Sequence, residues 1–293
     1  MQALLQSAGW ADADTAHVTP DWSPRQYWRV TKSNGDSAIF LQGPIPDFRG
    51  HGLKDFVEIG KRISALGLSV PQIYASDFDK AQLLMEDFGS TAIEAPAIEK
   101  EGYETAIDAL AVLRNAPTDG LINYEDGYIY KKLSLFSDDP QWMAAWKQIE
   151  DSLPPCPHVF SHMDYKAGNL FWLPERDNIK RLGILDYQAA QNAPFMYDCV
   201  ILLEDARRTL PWDMKAHLKA RYIAALPDAW KPIFDVWYPV IAAQFHVGVL
   251  GQIRGRANID PDMPARLEAY LQDELQSPSL KSLYEWRQKT GLV

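Results

Sequence analysis

His162-Met163-Asp164-Tyr165-Lys166-Ala167-Gly168-Asn169, followed by Gly183-Ile184-Leu185-Asp186, reads H-x-D-x-x-x-x-N, then an apolar hairpin, then an Asp. Leu170-Phe171-Trp172-Leu173 is apolar and aromatic and reads as a short strand. Pro174-Glu175-Arg176-Asp177-Asn178 is a turn cluster, and Arg181-Leu182-Gly183-Ile184-Leu185 reads as the return strand. An antiparallel hairpin sets its open ends side by side. Asn169 enters the first strand and Asp186 leaves the second, so both are expected at one point in space. An amide oxygen and a carboxylate from two segments are hard ligands of the kind magnesium takes, alongside waters and substrate phosphates. Asp164, in the preceding loop, is the carboxylate that can orient or deprotonate an attacking hydroxyl. Taken singly, an Asp is a solvated or capping residue and an Asn before a strand is a turn residue; the joint pattern points to phosphoryl chemistry. His162 reads as a hydrogen-bonded core residue bracing the loop.

The whole chain sets wider bounds. Its 293 residues, 47% hydrophobic and 23% charged, fit an ordinary globular protein of one or two lobes. A formal net charge of -10 argues against nucleic-acid binding, which needs clustered cations, and permits a cationic substrate without requiring one. Cys156 and Cys199 stand far apart without zinc-type spacing, so free thiols in a reducing compartment are expected. Met1-Gln2-Ala3-Leu4-Leu5 lacks the basic and apolar regions of a signal peptide. The apolar run from Val236 to Leu250 is interrupted by Pro239, Gln244 and His246, which predicts a core helix and no membrane span. A cytoplasmic location is expected, and no protein partner is evident.

Strand signals come first. Gln26-Tyr27-Trp28-Arg29-Val30 and Ser37-Ala38-Ile39-Phe40-Leu41 flank Asn34-Gly35, a strong hairpin turn. Phe48 to Gly52 is loop-like, and a helix is predicted from about Leu53 to Leu66, with Phe56, Ile59, Ile63 and Leu66 on one face and Gly67 ending it. Gln72-Ile73-Tyr74-Ala75 and Gln82-Leu83-Leu84-Met85 read as two more strands. Helical periodicity follows near Ile98 to Leu113 and Gln141 to Ile149, then, past the hairpin, at about 197–208, 212–225, 233–254, 264–275 and 277–288. Strands first and helices later predict an α+β protein: a small β-rich N-terminal lobe over residues 1–87 and a larger helical C-terminal lobe over 88–293, hinged between Met85 and Gly89.

With these segments in view, the chain resembles the aminoglycoside phosphotransferase/choline kinase superfamily, which has a protein-kinase-like two-lobe fold. Within it, the chain is most similar to bacterial sugar kinases that phosphorylate N-acetylmuramate and N-acetylglucosamine at the anomeric hydroxyl. The resemblance rests on several segments besides the catalytic loop. Ser23-Pro24-Arg25-Gln26-Tyr27-Trp28-Arg29-Val30 resembles that group's early Arg-x-Tyr-x-Arg strand. Leu66 to Pro71 and Leu83 to Gly89 resemble its helix end and hinge. Asp186-Tyr187-Gln188-Ala189-Ala190 with Pro194, Tyr197 and Asp198, and Gln244 to Gly251, resemble its later motifs. The resemblance implies an ATP-dependent phosphotransferase using Mg2+ on a small-molecule hydroxyl. It implies Asp164 as catalytic base, Asn169 and Asp186 as metal ligands, and Asp198 as a brace of the catalytic loop. A first-turn Asp offsetting the helix dipole explains Asp198 as well. It also implies adenine binding to backbone groups of Met85, Glu86 and Asp87.

The departures are informative. Ala38-Ile39-Phe40-Leu41-Gln42 lacks the phosphate-gripping Lys of protein kinases, as the sugar-kinase group also tends to, and Thr19 to Pro24 replaces a Gly-rich loop. Arg25 or Arg29 could supply phosphate charge, although a strand-surface Arg is the commoner role. Gln188, Gln244 and Arg254 are candidate sugar contacts or ordinary polar residues. The second Asp of the group's Asp-Phe-Gln-Asp-Ala pattern is Ala189. Three functions are carried forward: an amino-sugar or cell-wall-sugar kinase; a kinase for an aminoglycoside or choline-like amine, using Asp260, Asp262 and Glu268; and a catalytically silent nucleotide-binding protein, against which the intact Asp164, Asn169 and Asp186 argue.

Overall fold

The computed structural model describes residues 1–19, 24–44, 52–126 and 129–290. Positions 48–51 of the expected loop and 20–23 of the segment replacing a Gly-rich loop lie outside them. The chain forms two compact units, Met1–Thr105 with Ala167–Ala189, and Ala106–Lys166 with Ala190–Val293. The expected cut after residue 87 differs from this division: residues 88–105 and the 167–189 hairpin segment belong with the N-terminal sheet.

In the first unit, α1 (Gln2–Ser7) precedes β1 (Asp14–Val18), β2 (Gln26–Thr31), β3 (Ser37–Gln42), α2 (Leu53–Ala65), β4 (Ile73–Asp77) and β5 (Gln82–Glu86). The strands form one five-stranded sheet in the order β1-β2-β3-β5-β4, with every pairing antiparallel. The Asn34-Gly35 turn does join β2 to β3, with Gly35 at φ +92°, a conformation glycine adopts without strain. β1 and α1 carry no sequence expectation. β1 is almost wholly exposed along an edge, so its residues lack the alternation that marks a half-buried strand. α1 turns Leu4 and Leu5 onto Trp10, Val30, Ala38, Phe40 and Leu84, covering one face of the sheet. α2 buries Phe56, Ile59 and Ile63 as its periodicity requires. β7 (Leu170–Trp172) and β8 (Leu182–Ile184) form the expected hairpin, with Phe171 opposite Gly183. The hairpin is stitched to its own unit by Ile93 N–H donating to Leu170 O (3.0 Å) and Ile184 N–H to Ser69 O (2.8 Å).

The second unit is helical. It contains the end of α3 (Glu99–Leu113), then α4 (Ile129–Phe136), α5 (Pro140–Ser152), α6 (Tyr197–Leu203), α7 (Trp212–Ala224), α8 (Lys231–Ile253), α9 (Met263–Glu274) and α10 (Lys281–Thr290). β6 (His158–Ser161) pairs with β9 (Gln191–Pro194), placing Ser161 opposite Gln191 at the mouth of the catalytic loop. α8 is the central element, with Phe234, Val240, Ile241, Ala242, Ala243 and Val247 wholly buried. It is long and apolar enough to cross a membrane, yet 67% of its apolar window is buried inside the protein, as a core helix requires. α4 crosses it closely at Gly251, where a Cβ would stand 2.8 Å from the Phe136 nitrogen.

The packing of α2 on Tyr187 sets a sharp test. The Phe56 and Tyr187 rings stack at 4.6 Å, and a Cβ on Gly60 would lie 2.6 Å from the Tyr187 hydroxyl oxygen. Gly60→Val is therefore expected to overpack the first unit and lower stability by about 1–3 kcal/mol. Denaturant unfolding that leaves the midpoint unchanged would show that α2 and Tyr187 can separate freely.

Candidate active site

Within the first unit, the hairpin brings Asn169 and Asp186 together. Leu185 N–H donates to the Asn169 carbonyl at 3.0 Å, which fixes the two hairpin ends side by side. Asp186 sits at φ +64°, sparsely populated for a non-glycine residue and concentrated at functional sites. Tyr187, nearly fully buried against α2, anchors the chain immediately after it. The Gln188 side-chain amide donates to Asp186 Oδ1 at 2.7 Å, and Gln188 Oε1 is buried without a hydrogen-bond partner. Gln188 thus meets the proposed metal ligand. An amide and a carboxylate held by backbone bonding suit a hard cation such as Mg2+, and the buried Oε1 is a further oxygen in search of a donor or cation.

The second unit holds the catalytic loop. His162 follows β6 directly and has no exposed surface. Asp198, in the first turn of α6, accepts the N–H of His162 through Oδ2 (2.6 Å) and that of Met163 through Oδ1 (2.9 Å). These bonds hold Met163 at φ +72°, the twist that carries the chain into Asp164. Asp198 is therefore bound to the loop backbone itself. Burial pushes its carboxyl up to about 7, against the pull of the two N–H donors, which favour the ionised form. The Asp164 N–H donates to His162 Nδ1 at 3.2 Å, which assigns the ring hydrogen to Nε2, and the Tyr165 hydroxyl donates to Ala106 O at 3.0 Å. Lys166 Nζ lies 2.8 Å from Asp164 Oδ2.

The other sequence candidates take varied places. Met85 pairs with Ile39 on one side and Ile73 on the other, and Glu86 N–H donates to Gln72 O, so the sheet already occupies the backbone at both positions. Asp87 is the first residue past the sheet, and its side chain is held by Arg29, at 2.6 and 3.1 Å; Arg29 also donates to Gly89 O. Arg29 thus fixes the chain where β5 ends, inside the first unit rather than at the expected hinge between lobes, and Arg25 is buried. Gln244 is wholly buried: it accepts from the Tyr124 hydroxyl (3.0 Å) and donates to Glu150 (2.7 Å), so its amide is used inside the fold. Arg254 donates to Phe136 O at the end of α4. Sequence reasoning missed Lys166 as Asp164's partner and Asp205 as a buried carboxylate close enough to feel the charges of Lys166 and Asp164. Burial raises the Asp205 carboxyl first, with the Arg207 N–H opposing. The Asp205-Ala206-Arg207 turn that carries it offers only a weak local signal.

Two outcomes follow. Asp198→Asn should leave the protein folded but lower kcat by roughly tenfold to a hundredfold, because its amide N–H2 confronts one loop N–H and misplaces Asp164. Its carboxyl, raised from 3.8 to about 7, contributes stability that is present below pH 4 and is lost as pH rises through 7. Unfolding at a series of pH values should show that decline in the wild type shrink in the variant.

The comparisons place these features in a family. The "Phosphotransferase enzyme family" matches residues 15–237. A protein named N-acetylmuramate/N-acetylglucosamine kinase from Caulobacter vibrioides is 32% identical, over 93% of this chain and 82% of its own. One of the same name from Pseudomonas aeruginosa is 30% identical, over 78% and 69%. Among solved structures, a choline/ethanolamine kinase family protein from Mesorhizobium loti superposes with TM-score 0.66 at 12% identity, covering 96% of this chain and 94% of its own. The amicoumacin kinase hAmiN superposes with TM-score 0.63 at 13% identity, covering 94% and 93%. These two show the shared protein-kinase-like fold. With a catalytic loop and hairpin of this design and a family match across most of its length, the chain belongs to the phosphotransferase enzyme family.

Proposed function

We propose that the protein is an ATP-dependent kinase that phosphorylates a hydroxyl of an amino sugar of the N-acetylmuramate/N-acetylglucosamine class. The observation that carries the reaction is the Asn169–Asp186 junction, closed by the Leu185 N–H bond and strained at Asp186. The names of the relatives support the substrate. Bound Mg-ATP supplies the transferable phosphoryl group and neutralises charge on it. Asn169 and Asp186 would hold the metal, with one Asp186 oxygen fixed by Gln188, and Asp164 would align the sugar hydroxyl and accept its proton. Lys166 restrains the Asp164 carboxylate and offers positive charge beside it, in a chain whose β3 carries no Lys. The transition state is loose, so positioning and charge compensation do most of the work. Asp205 lies in the same unit as Asp164 and is a candidate acceptor for a sugar hydroxyl.

An amine-kinase reading draws on Asp260, Asp262 and Glu268. Asp260 is paired with Arg266 at 3.3 Å and Glu268 with Arg287 at 3.1 Å, so two of the three carboxylates already have cationic partners. A buried polycation needs unpaired carboxylates, and this favours the sugar.

Side-by-side kinetics with Mg-ATP should give a higher kcat/KM for an N-acetylated amino sugar than for kanamycin-like polycations; the reverse order assigns the protein to the amine kinases. Asp164→Asn should retain nucleotide binding and lose about 100-fold or more in kcat. Near wild-type turnover in the folded variant removes Asp164 from the chemistry.

A further inference from the structure

Three helices of the second unit turn ligand-type side chains to one point that the phosphoryl-transfer residues do not occupy. Glu204 caps the C-terminus of α6, His246 lies in α8 and Glu274 ends α9. One ligand atom from each lies within 4.8 Å of the other two. His246 has no exposed surface, and the Glu274 side chain is 9% exposed.

The hydrogen positions make this cluster unusual. His246 Nε2 stands 3.1 Å from the Glu204 backbone carbonyl, which can only accept, so Nε2 carries hydrogen and, in the neutral ring, the lone pair stands at Nδ1. Nδ1 lies 2.8 Å from Glu274 Oε1, yet outside hydrogen-bond alignment: Nδ1 and Glu274 Oε2 are both buried without a hydrogen-bond partner. Two lone-pair donors this close repel each other unless a proton lies between them or a cation sits to one side of the line between them. For metal bonds of about 2.1 Å meeting at the tetrahedral angle, neighbouring ligand atoms stand about 3.4 Å apart, a separation that Nδ1 and Oε1 reach by a small side-chain shift. The surroundings resemble an outer shell. A ligating His commonly gives its other N–H to a backbone carbonyl, and ligating carboxylates are themselves hydrogen-bonded. Here Tyr238 donates to Glu204 Oε1 at 2.8 Å, Lys215 to Oε2 at 2.5 Å, and Tyr270 stacks on the imidazole at 5.0 Å.

We propose that His246 Nδ1, Glu274 and Glu204 form a structural site for one divalent transition ion of the zinc class, tying α6, α8 and α9 together. The mixed nitrogen and carboxylate donors suit such an ion better than magnesium. The competing account is a proton shared between His246 and Glu274.

The test uses the untagged full chain, stripped with chelator and titrated with Zn2+ or Co2+ alone, without nucleotide or magnesium. Stoichiometric binding, a raised Tm and visible Co2+ absorption bands are expected. Glu274→Gln should weaken binding about a hundredfold and Tyr238→Phe about tenfold. Should Glu274→Gln not fold, Tyr238→Phe decides the matter. The proposal is overturned if the folded wild type takes up no ion, if binding is the same in the variants as in the wild type, or if the 15N shifts of His246 remain those of an imidazolium after metal addition.

Discussion

One carboxylate, Asp198, governs the catalytic loop. Its two oxygens accept consecutive backbone N–H groups, at His162 and Met163, and so hold Met163 in a conformation that side chains disfavour. A single hydrogen bond contributes about 1 kcal/mol net, and a positive φ at a non-glycine residue costs about 1–3 kcal/mol. Two charge-assisted bonds to one rigid acceptor are the scale needed to offset that strain. Asp198 is itself immobile, in the wholly buried run Tyr197 to Leu203 of α6. The position of Asp164 is thus inherited from a helix in the core, and the reaction proposed for it depends on that inheritance.

The pair proposed to hold the metal, Asn169 and Asp186, is organised by different means. Asn169 and Asp186 meet because a short apolar hairpin closes between them, and the strain at Asp186 is held by neighbours on both sides: the Leu185 N–H bond before it and the Tyr187 ring against Phe56 and Gly60 after it. Gln188 then restrains the carboxylate directly. The small residue at Gly60 and the aromatic at Tyr187 are complementary, since a side chain at the first would occupy the hydroxyl of the second. The end of β5 follows the same logic, with Arg29 on β2 clamping Asp87 in a bidentate pair. Partly buried and forked, that pair has a geometry that a solvated surface contact lacks.

The sequence by itself determined the class of this protein. The order of strands and helices, the Asn34-Gly35 turn, the amphipathic α2 and the hairpin after Asn169 are all local signals, written in spacing and period, and they appear where expected. The spacing of Asp164, Asn169 and Asp186 carries the chemistry proposed for them for the same reason: the H-x-D-x-x-x-x-N loop and its hairpin are a nearly continuous stretch of chain. Tertiary structure decided whatever depends on partners distant in sequence. Gln244 reads as a polar residue on a late helix, and only the fold shows both ends of its amide taken by Tyr124 and Glu150. Arg254 serves α4, 118 positions away. Residues 88–105 and the hairpin join each other and the N-terminal unit through backbone bonds such as Ile93 to Leu170 and Ile184 to Ser69, which no periodicity records. Glu204, His246 and Glu274 lie far apart in the chain and become a cluster only when α6, α8 and α9 pack, because side chains separated by dozens of residues share an environment only through the fold.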